Sequence, residues 1–229
     1  MNWPATGLLE IERRYWDLGW ARLAGVDEAG RGPLAGPVVA AAVVLDRDCA
    51  RAEEHGLLQG ITDSKQLAPA TRAAFAQLLR RLAWVEIGVG QADVSEIDAL
   101  NILRATHVAM ARAVHNLPSL PNHIIVDGLA VGGLPCPATA IVRGDAKSLS
   151  IAAASIVAKV ARDALMTEMD RRYPQYGFAR HKGYGTAFHI QALLEHGPCP
   201  AHRRSFRPVR EAAAIRARAK GRPADGALA

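Results

Sequence analysis

Three short apolar segments in this chain end on acids. LAGVDEAG places Asp27 and Glu28 at the close of the first, HIIVDG places Asp127, and TAIVRGD places Asp145. A carboxylate beside an apolar segment is costly to bury alone, because a poorly polar surrounding disfavours the charged form. Short runs rich in Val and Ile read as strands, and in open α/β sheets sites form at the carboxyl ends of strands, a rule that Asp127 and Asp145 both fit. Several carboxylates converging on one place make sense if divalent metal supplies the missing positive charge.

The rest of the chain supplies the other layers. Residues 8–20 carry Leu8, Leu9, Ile11, Tyr15, Trp16 and Leu18 among charges, a short amphipathic helix. The glycine-rich AGRGPLAG joins the first strand to a second, PVVAAAVVL. A helix is expected from about Ala70 to Leu82, where Pro69 and Thr71 suit its start. AWVEIGVGQ reads as a third strand, and Ile97, Leu100, Leu103, Val108 and Val114 recur at helical spacing after it. A long helix runs from Ser148 until Pro174 stops it, with Leu149, Ala153, Ile156, Val160 and Ala164 as its apolar stripe. Another helix is expected around Thr186–His196. Strands alternating with helices indicate a layered α/β domain.

At 229 residues the chain is sized for one sizeable core. No apolar run reaches membrane-spanning length, and MNWPATGLLEIERRYW lacks the basic head and unbroken apolar stretch of a secretory signal. Cys49, Cys136 and Cys199 are far apart and not near a metal-ligand spacing, which fits reduced thiols in a cytoplasmic protein. Residues 1–200 hold 20 Lys/Arg against 20 Asp/Glu, so the net charge of +6 lies wholly in the last 29 residues, with 8 against 2. Within the neutral body, 143–182 is locally basic. A basic stretch and a basic tail fit a nucleic-acid partner, although charge alone equally allows a solvated surface.

Each motif has a plain structural reading beside the chemical one. Asp127 before Gly128, taken alone, reads first as the opening of a turn, and it is the same placement of Asp27 and Asp145 that favours a site; Asp145 ahead of a long helix could be its cap. Asp27 and Glu28, as strand neighbours, point to opposite faces unless the chain twists there. Gly30-Arg31-Gly32 could bring backbone and a guanidinium to a phosphate, or simply turn. Asp63-Ser64-Lys65 could position a phosphate or be an ordinary polar loop. Lys159 and Arg162 share a helix face, with Asp163 first a salt-bridge partner of Lys159. Tyr184, between glycines and just after Arg180, His181 and Lys182, could stack on a base or sugar, or cover the core. HRRSFRP at 202–208 again mixes cations with an aromatic, or ties the tail to the body. A non-catalytic nucleic-acid-binding module and a nuclease acting on DNA alone are therefore both open on these residues.

Taken together, AGVDEAGRGPLAGPVVAAAVVL (24–45), DSK (63–65), VDG (126–128), GDAKSLSIAAASIVAKVARD (144–163), HKGYGT (181–186) and HRRSFRPV (202–209) resemble the bacterial type 2 ribonucleases H, the ribonuclease HII family. The resemblance implies a ribonuclease H-like fold, a mixed sheet of about five strands with flanking helices and a helical C-terminal part, over residues 1–210. Residues 211–229 form a basic Ala/Arg-rich tail that is expected to be disordered. It implies that Asp27, Glu28, Asp127 and Asp145 are catalytic and hold two divalent ions, Mg²⁺ or Mn²⁺. Substrate binding would fall to Gly30, Arg31, Gly32, Ser64, Lys65, Lys159 and Tyr184, with the glycine-flanked arginine reading the ribose 2′-hydroxyl and Tyr184 sensing the RNA–DNA junction. The implied activity is hydrolysis of RNA paired with DNA and incision 5′ of ribonucleotides embedded in duplex DNA, leaving 3′-hydroxyl and 5′-phosphate ends, by a cytoplasmic monomer.

Overall fold

A computed structural model describes residues 7–49 and 56–220. Five strands, β1 (Leu23–Ala29), β2 (Val38–Leu45), β3 (Val85–Ala92), β4 (His123–Asp127) and β5 (Ala138–Ile141), form one mixed sheet in the order β3-β2-β1-β4-β5. β2 runs antiparallel to both β1 and β3, whereas β1, β4 and β5 are parallel. The helices are α1 (Glu10–Asp17), α2 (Pro69–Arg81), α3 (Val94–Leu100), α4 (Ile102–His115), α5 (Leu149–Arg172), α6 (Phe178–His181), α7 (Ala187–His196) and α8 (Arg207–Lys220).

All eight residues of β2 are buried, which follows from a strand covered on both faces. Alternate side chains serve different layers. Val38, Ala40, Ala42 and Val44 pack with Ala105, Ala109 and Ala113 of α4. Ala41, Val43 and Leu45 pack with Ala153, Ile156 and Val157 of α5 and with Leu79 of α2. Small residues let α5 approach closely. A Cβ on Gly25 of β1 would lie 2.3 Å from the Ser150 carbonyl carbon, so only glycine allows the first turn of α5 to rest on the central strand.

The structure departs from the sequence reading in three places. The single helical stretch expected around 95–117 is two helices, broken at Asn101 (φ 71°), whose side chain accepts from the N–H groups of Leu103 and Arg104 to cap α4. On α5 the apolar stripe ends at Val160; Ala164 is exposed, and burial passes to Arg162 and Met166. The first ten residues of the stretch expected to be disordered are helical. α8 extends to Lys220, with Val209 and Ala212 buried against Leu34 and Leu193; residues 221–229 lie outside the described residues. Cys136 and Cys199 are free thiols, and no helix among the described residues is long and apolar enough to cross a membrane.

Candidate active site

Parallel pairing sets the acids side by side. Val26 of β1 is in register with Val126 of β4, so the next residues, Asp27 and Asp127, leave neighbouring strands at one level. Asp127 in turn is in register with Ile141 of β5, and the chain then enters a 3-10 turn, Gly144–Ala146, which carries Asp145. The Gly144 N–H donates to Asp127 Oδ1 at 2.6 Å, fastening the Asp145 turn to the end of β4. Asp145 does not cap α5. That role belongs to Ser148, whose hydroxyl accepts from the Ile151 N–H at 3.2 Å.

Asp27 and Glu28 do reach one site. Both line a cleft of about 210 Å³ that also holds Gly30, Arg31, Gly32, Ser64, Lys65, Lys159 and Tyr184. Nine of the eleven expected site residues therefore share one space, and Asp127 and Asp145 adjoin it closely enough that the Asp127 charge acts on Asp27, Glu28 and Asp145. Asp27 Oδ1 accepts from the Glu28 N–H at 2.7 Å, and Glu28 Oε1 lies 3.4 Å from Arg31 Nη1.

The site is short of positive charge. Burial, then the charges of Glu28 and Asp127, raise the Asp27 carboxyl well above the usual carboxylate range. Burial also raises Glu28, against the opposing pull of Arg31, and burial with the Asp127 charge raises Asp145. Lys65 answers this field: its partial burial pushes the ammonium down, but Asp63, Asp27, Asp145 and Asp127 together outweigh that and hold it above an ordinary lysine. Such an edge fits a hard divalent cation. Among the described residues no three His, Cys, Asp or Glu side chains close into a cage by themselves. An open carboxylate edge suits Mg²⁺, which is held by one or two carboxylates with waters and substrate phosphate oxygens.

The remaining expected residues are placed by a frame that the sequence did not reveal. Ser64 is buried with its hydroxyl 2.7 Å from that of Ser155 on α5, and Arg72 Nη1 donates to the Ser64 and Leu67 carbonyls at 2.7 and 2.6 Å. The Asp63-Ser64-Lys65 loop is thereby pinned with Lys65 exposed towards the acids. Lys159 pairs with Asp163 as the helical spacing requires. Two fully buried arginines hold the glycine-rich loop. Arg162 donates to the carbonyls of Pro37 (3.0 Å), Lys182 (3.0 Å) and Ala35 (3.2 Å). Arg203 donates to those of Gly36 (2.9 Å), Arg31 (2.8 Å) and Gly30 (2.6 Å). Gly30 has φ 97°, and a Cβ on it would fall 1.9 Å from Arg162 Nε, so glycine is demanded by both conformation and space. Only HRRSFRP, read as a possible tie to the body, hinted at Arg203. Tyr184 is half exposed, its ring edge beside Gly32.

Fold and acid-lined edge together define a ribonuclease H-like enzyme. Residues 24–209 match the family described as Ribonuclease HII. Proteins named Ribonuclease HII from Geobacillus kaustophilus (53% identical over 205 residues, 89% of this chain and 75% of that one) and Maricaulis maris (54% over 192 residues, 83% and 84%) are similar along most of their length. The crystal structure of ribonuclease H2 from Pyrococcus horikoshii superimposes with a TM-score of 0.70 at 26% identity, covering 88% of this chain and all of that one. Bst-RNase HIII in complex with Mn²⁺ shares the fold, with a TM-score of 0.71 at 21% identity over 89% of this chain and 72% of that one. The chain belongs to the ribonuclease HII family and is a ribonuclease H acting on RNA–DNA hybrids.

Proposed function

We propose that this enzyme incises the strand 5′ of a ribonucleotide embedded in duplex DNA as well as cleaving longer hybrids, with Asp27, Glu28, Asp127 and Asp145 holding two divalent ions, Mg²⁺ or Mn²⁺. The observation that carries the reading is that Asp27 and Glu28 share one cleft with Gly30, Arg31, Gly32 and Tyr184. Chemistry and sugar recognition thus meet in a single space.

Bound to these carboxylates, divalent ions would acidify a water and neutralise charge developing on the phosphate oxygens. The protein's own contribution is arrangement. The carboxylates of β1, β4 and the Asp145 turn present a fixed edge of hard oxygens. Lys65 sets a cation beside them for the non-bridging phosphate oxygens. The water oxygen forms the new bond to phosphorus while the bond to the upstream 3′-oxygen breaks, giving a 3′-hydroxyl and a 5′-phosphate. The ribose 2′-hydroxyl takes no part as nucleophile; it is the group that distinguishes the substrate. Phosphate contacts carry no sugar identity, so selectivity falls to the backbone of Gly30-Arg31-Gly32, with Tyr184 stacking on the adjoining deoxyribose.

A labelled DNA duplex with one ribonucleotide, beside an all-DNA control, tests this in Mg²⁺, in Mn²⁺ and in chelator. Metal-dependent incision 5′ of the ribose and an intact control are expected. Cleavage of both duplexes would instead indicate a DNA nuclease, and binding without cleavage would reduce the four acids to turn and cap residues.

A further inference from the structure

Behind Tyr184 lies a buried chain of imidazoles that the chemistry above does not use. The Cys199 N–H can only donate, so His202 Nδ1, 3.0 Å away, accepts. The His202 proton is then on Nε2, which lies 3.0 Å from His189 Nε2. His189 must accept there, which puts its own proton on Nδ1, 2.9 Å from the Tyr184 carbonyl oxygen. One tautomer assignment satisfies all four ring nitrogens, and the opposite one would set the His202 Nδ1–H against the Cys199 N–H. Burial pushes His189 down to about 4 and His202 to about 3, so both rings are neutral near neutral pH.

The other side of the Tyr184 peptide is tied as firmly. The Tyr184 N–H donates to the His181 carbonyl at 3.0 Å, and the Leu34 N–H donates to the Gly183 carbonyl at 2.8 Å. His181 Nδ1 accepts from the Gly183 N–H at 3.2 Å. Gly183 has φ 82°, and a Cβ there would meet the Ala35 oxygen at 2.5 Å. The backbone around Tyr184 is therefore held on both sides while the residue as a whole is 48% exposed. A ring free on one face takes its direction from the peptide that carries it, and Tyr184 Cε1 lies 3.7 Å from where a Cβ on Gly32 would stand.

The residue after His202 completes the argument. Arg203 holds the Gly30 and Arg31 carbonyls, its own N–H donates to the Leu34 carbonyl at 2.9 Å, and Ala35 bridges His202. We infer that residues 199–203 act as a clamp that registers Tyr184 against Gly30-Arg31-Gly32, His202 reaching the tyrosine through His189 while Arg203 holds the glycine-rich loop. His189 and His202 are then positioning residues for recognition of an isolated ribonucleotide. The inference rests on the junction-sensing reading of Tyr184. Its weight comes from the sensitivity of such sites, where a misplacement of about 1 Å can reduce rate about 100-fold.

The test compares kcat and KM on a duplex with one ribonucleotide and on a long hybrid, for the parent, Tyr184→Ala, His189→Leu and His189→Asn, with a thermal melt of each. Asn keeps a donor near the position of Nδ1. Tyr184→Ala and His189→Leu are expected to lower kcat/KM at the single ribonucleotide at least tenfold more than on the hybrid. His189→Asn should restore most of the discrimination, and Tyr184→Ala combined with His189→Leu should be no worse than Tyr184→Ala alone in that ratio. If Tyr184→Ala itself loses both substrates equally, the junction reading falls and the clamp falls with it. If Tyr184→Ala discriminates while His189→Leu lowers both substrates alike, or neither, the imidazole chain is only structural and the inference is overturned. Should His189→Leu fail to fold, His202→Leu against His202→Gln, which keeps a donor near Nε2, makes the same comparison with the same two outcomes.

Discussion

Replacing Arg203 by Met should weaken the fold by about 3–5 kcal/mol, a figure that follows from its surroundings. The guanidinium is fully buried and gives three hydrogen bonds, to the carbonyls of Gly36, Arg31 and Gly30. Bonds from a charged donor contribute roughly 1.5–3 kcal/mol each, so the gross loss is large. Methionine fills similar volume and removes the cost of desolvating a cation, which burial and the neighbouring Arg162 charge express by lowering the Arg203 pKa to about 9. The net therefore falls below the gross, to about 3–5 kcal/mol, set by three carbonyls left without a donor at about 1–3 kcal/mol each, less the cation's desolvation cost. For a chain of this size, at about 2–4 °C per kcal/mol, the melting temperature should drop by roughly 6–20 °C. Urea unfolding at neutral pH followed by far-ultraviolet circular dichroism measures it, with Arg203→Lys expected in between because one ammonium cannot reach all three carbonyls in the same geometry. A loss under about 1 kcal/mol would show that water replaces the guanidinium freely, and would refute the view of Arg203 as the staple of the glycine-rich loop.

Asp127→Asn should abolish turnover while leaving affinity for a ribonucleotide-containing duplex within about twofold, since the proposed phosphate and sugar contacts lie on Gly30-Arg31-Gly32, Lys65 and Tyr184; a collapse of binding in fluorescence anisotropy would make the residue structural. The pH dependence has a defined sign. Asp27 is raised by burial and by its neighbours' charges, so the folded chain keeps that proton to higher pH than the unfolded chain does. Metal-free stability should accordingly fall as pH rises from the ordinary carboxylate range through the raised value. In chelator at neutral pH Asp27→Asn should melt above the parent, about 2–4 °C for each kcal/mol relieved, and excess Mg²⁺ should reverse the order; a variant less stable than the parent in chelator contradicts this. Activity should rise with pH across the same window, as metal displaces fewer protons from Asp27, Glu28 and Asp145, and a rate profile peaking at acidic pH would count against it.

The acids are legible in the sequence because their neighbours betray them. A carboxylate following Ile-Ile-Val, or preceding Ala-Gly-Arg-Gly, sits in a setting that solvation alone does not explain. Their convergence was not local information. It depends on β1, β4 and β5 being parallel and in register, β1 pairing with residues a hundred positions further on and β4 with residues fourteen further on. Asp145 shows the limit well: its placement before α5 suggested a cap, and only the structure gave that task to Ser148 and left the carboxylate at the site.

Periodicity of apolar residues determined the layers, since helices and strands declare themselves through which side chains must leave water. It could not find the break at Asn101, where a left-handed residue interrupts an otherwise helical pattern, nor the point on α5 at which burial passes from alanines to Arg162. Those depend on what packs opposite. The same holds for His202 and Arg203, which in the sequence belong to the cation-rich HRRSFRP, and for His189, one polar residue in a largely apolar helix; in the fold all three are buried supports of the loop and the tyrosine. A charged or polar side chain is buried only when specific partners from elsewhere in the chain satisfy it. Sequence alone therefore determined which residues could do the chemistry, and tertiary structure decided which residues hold them in place.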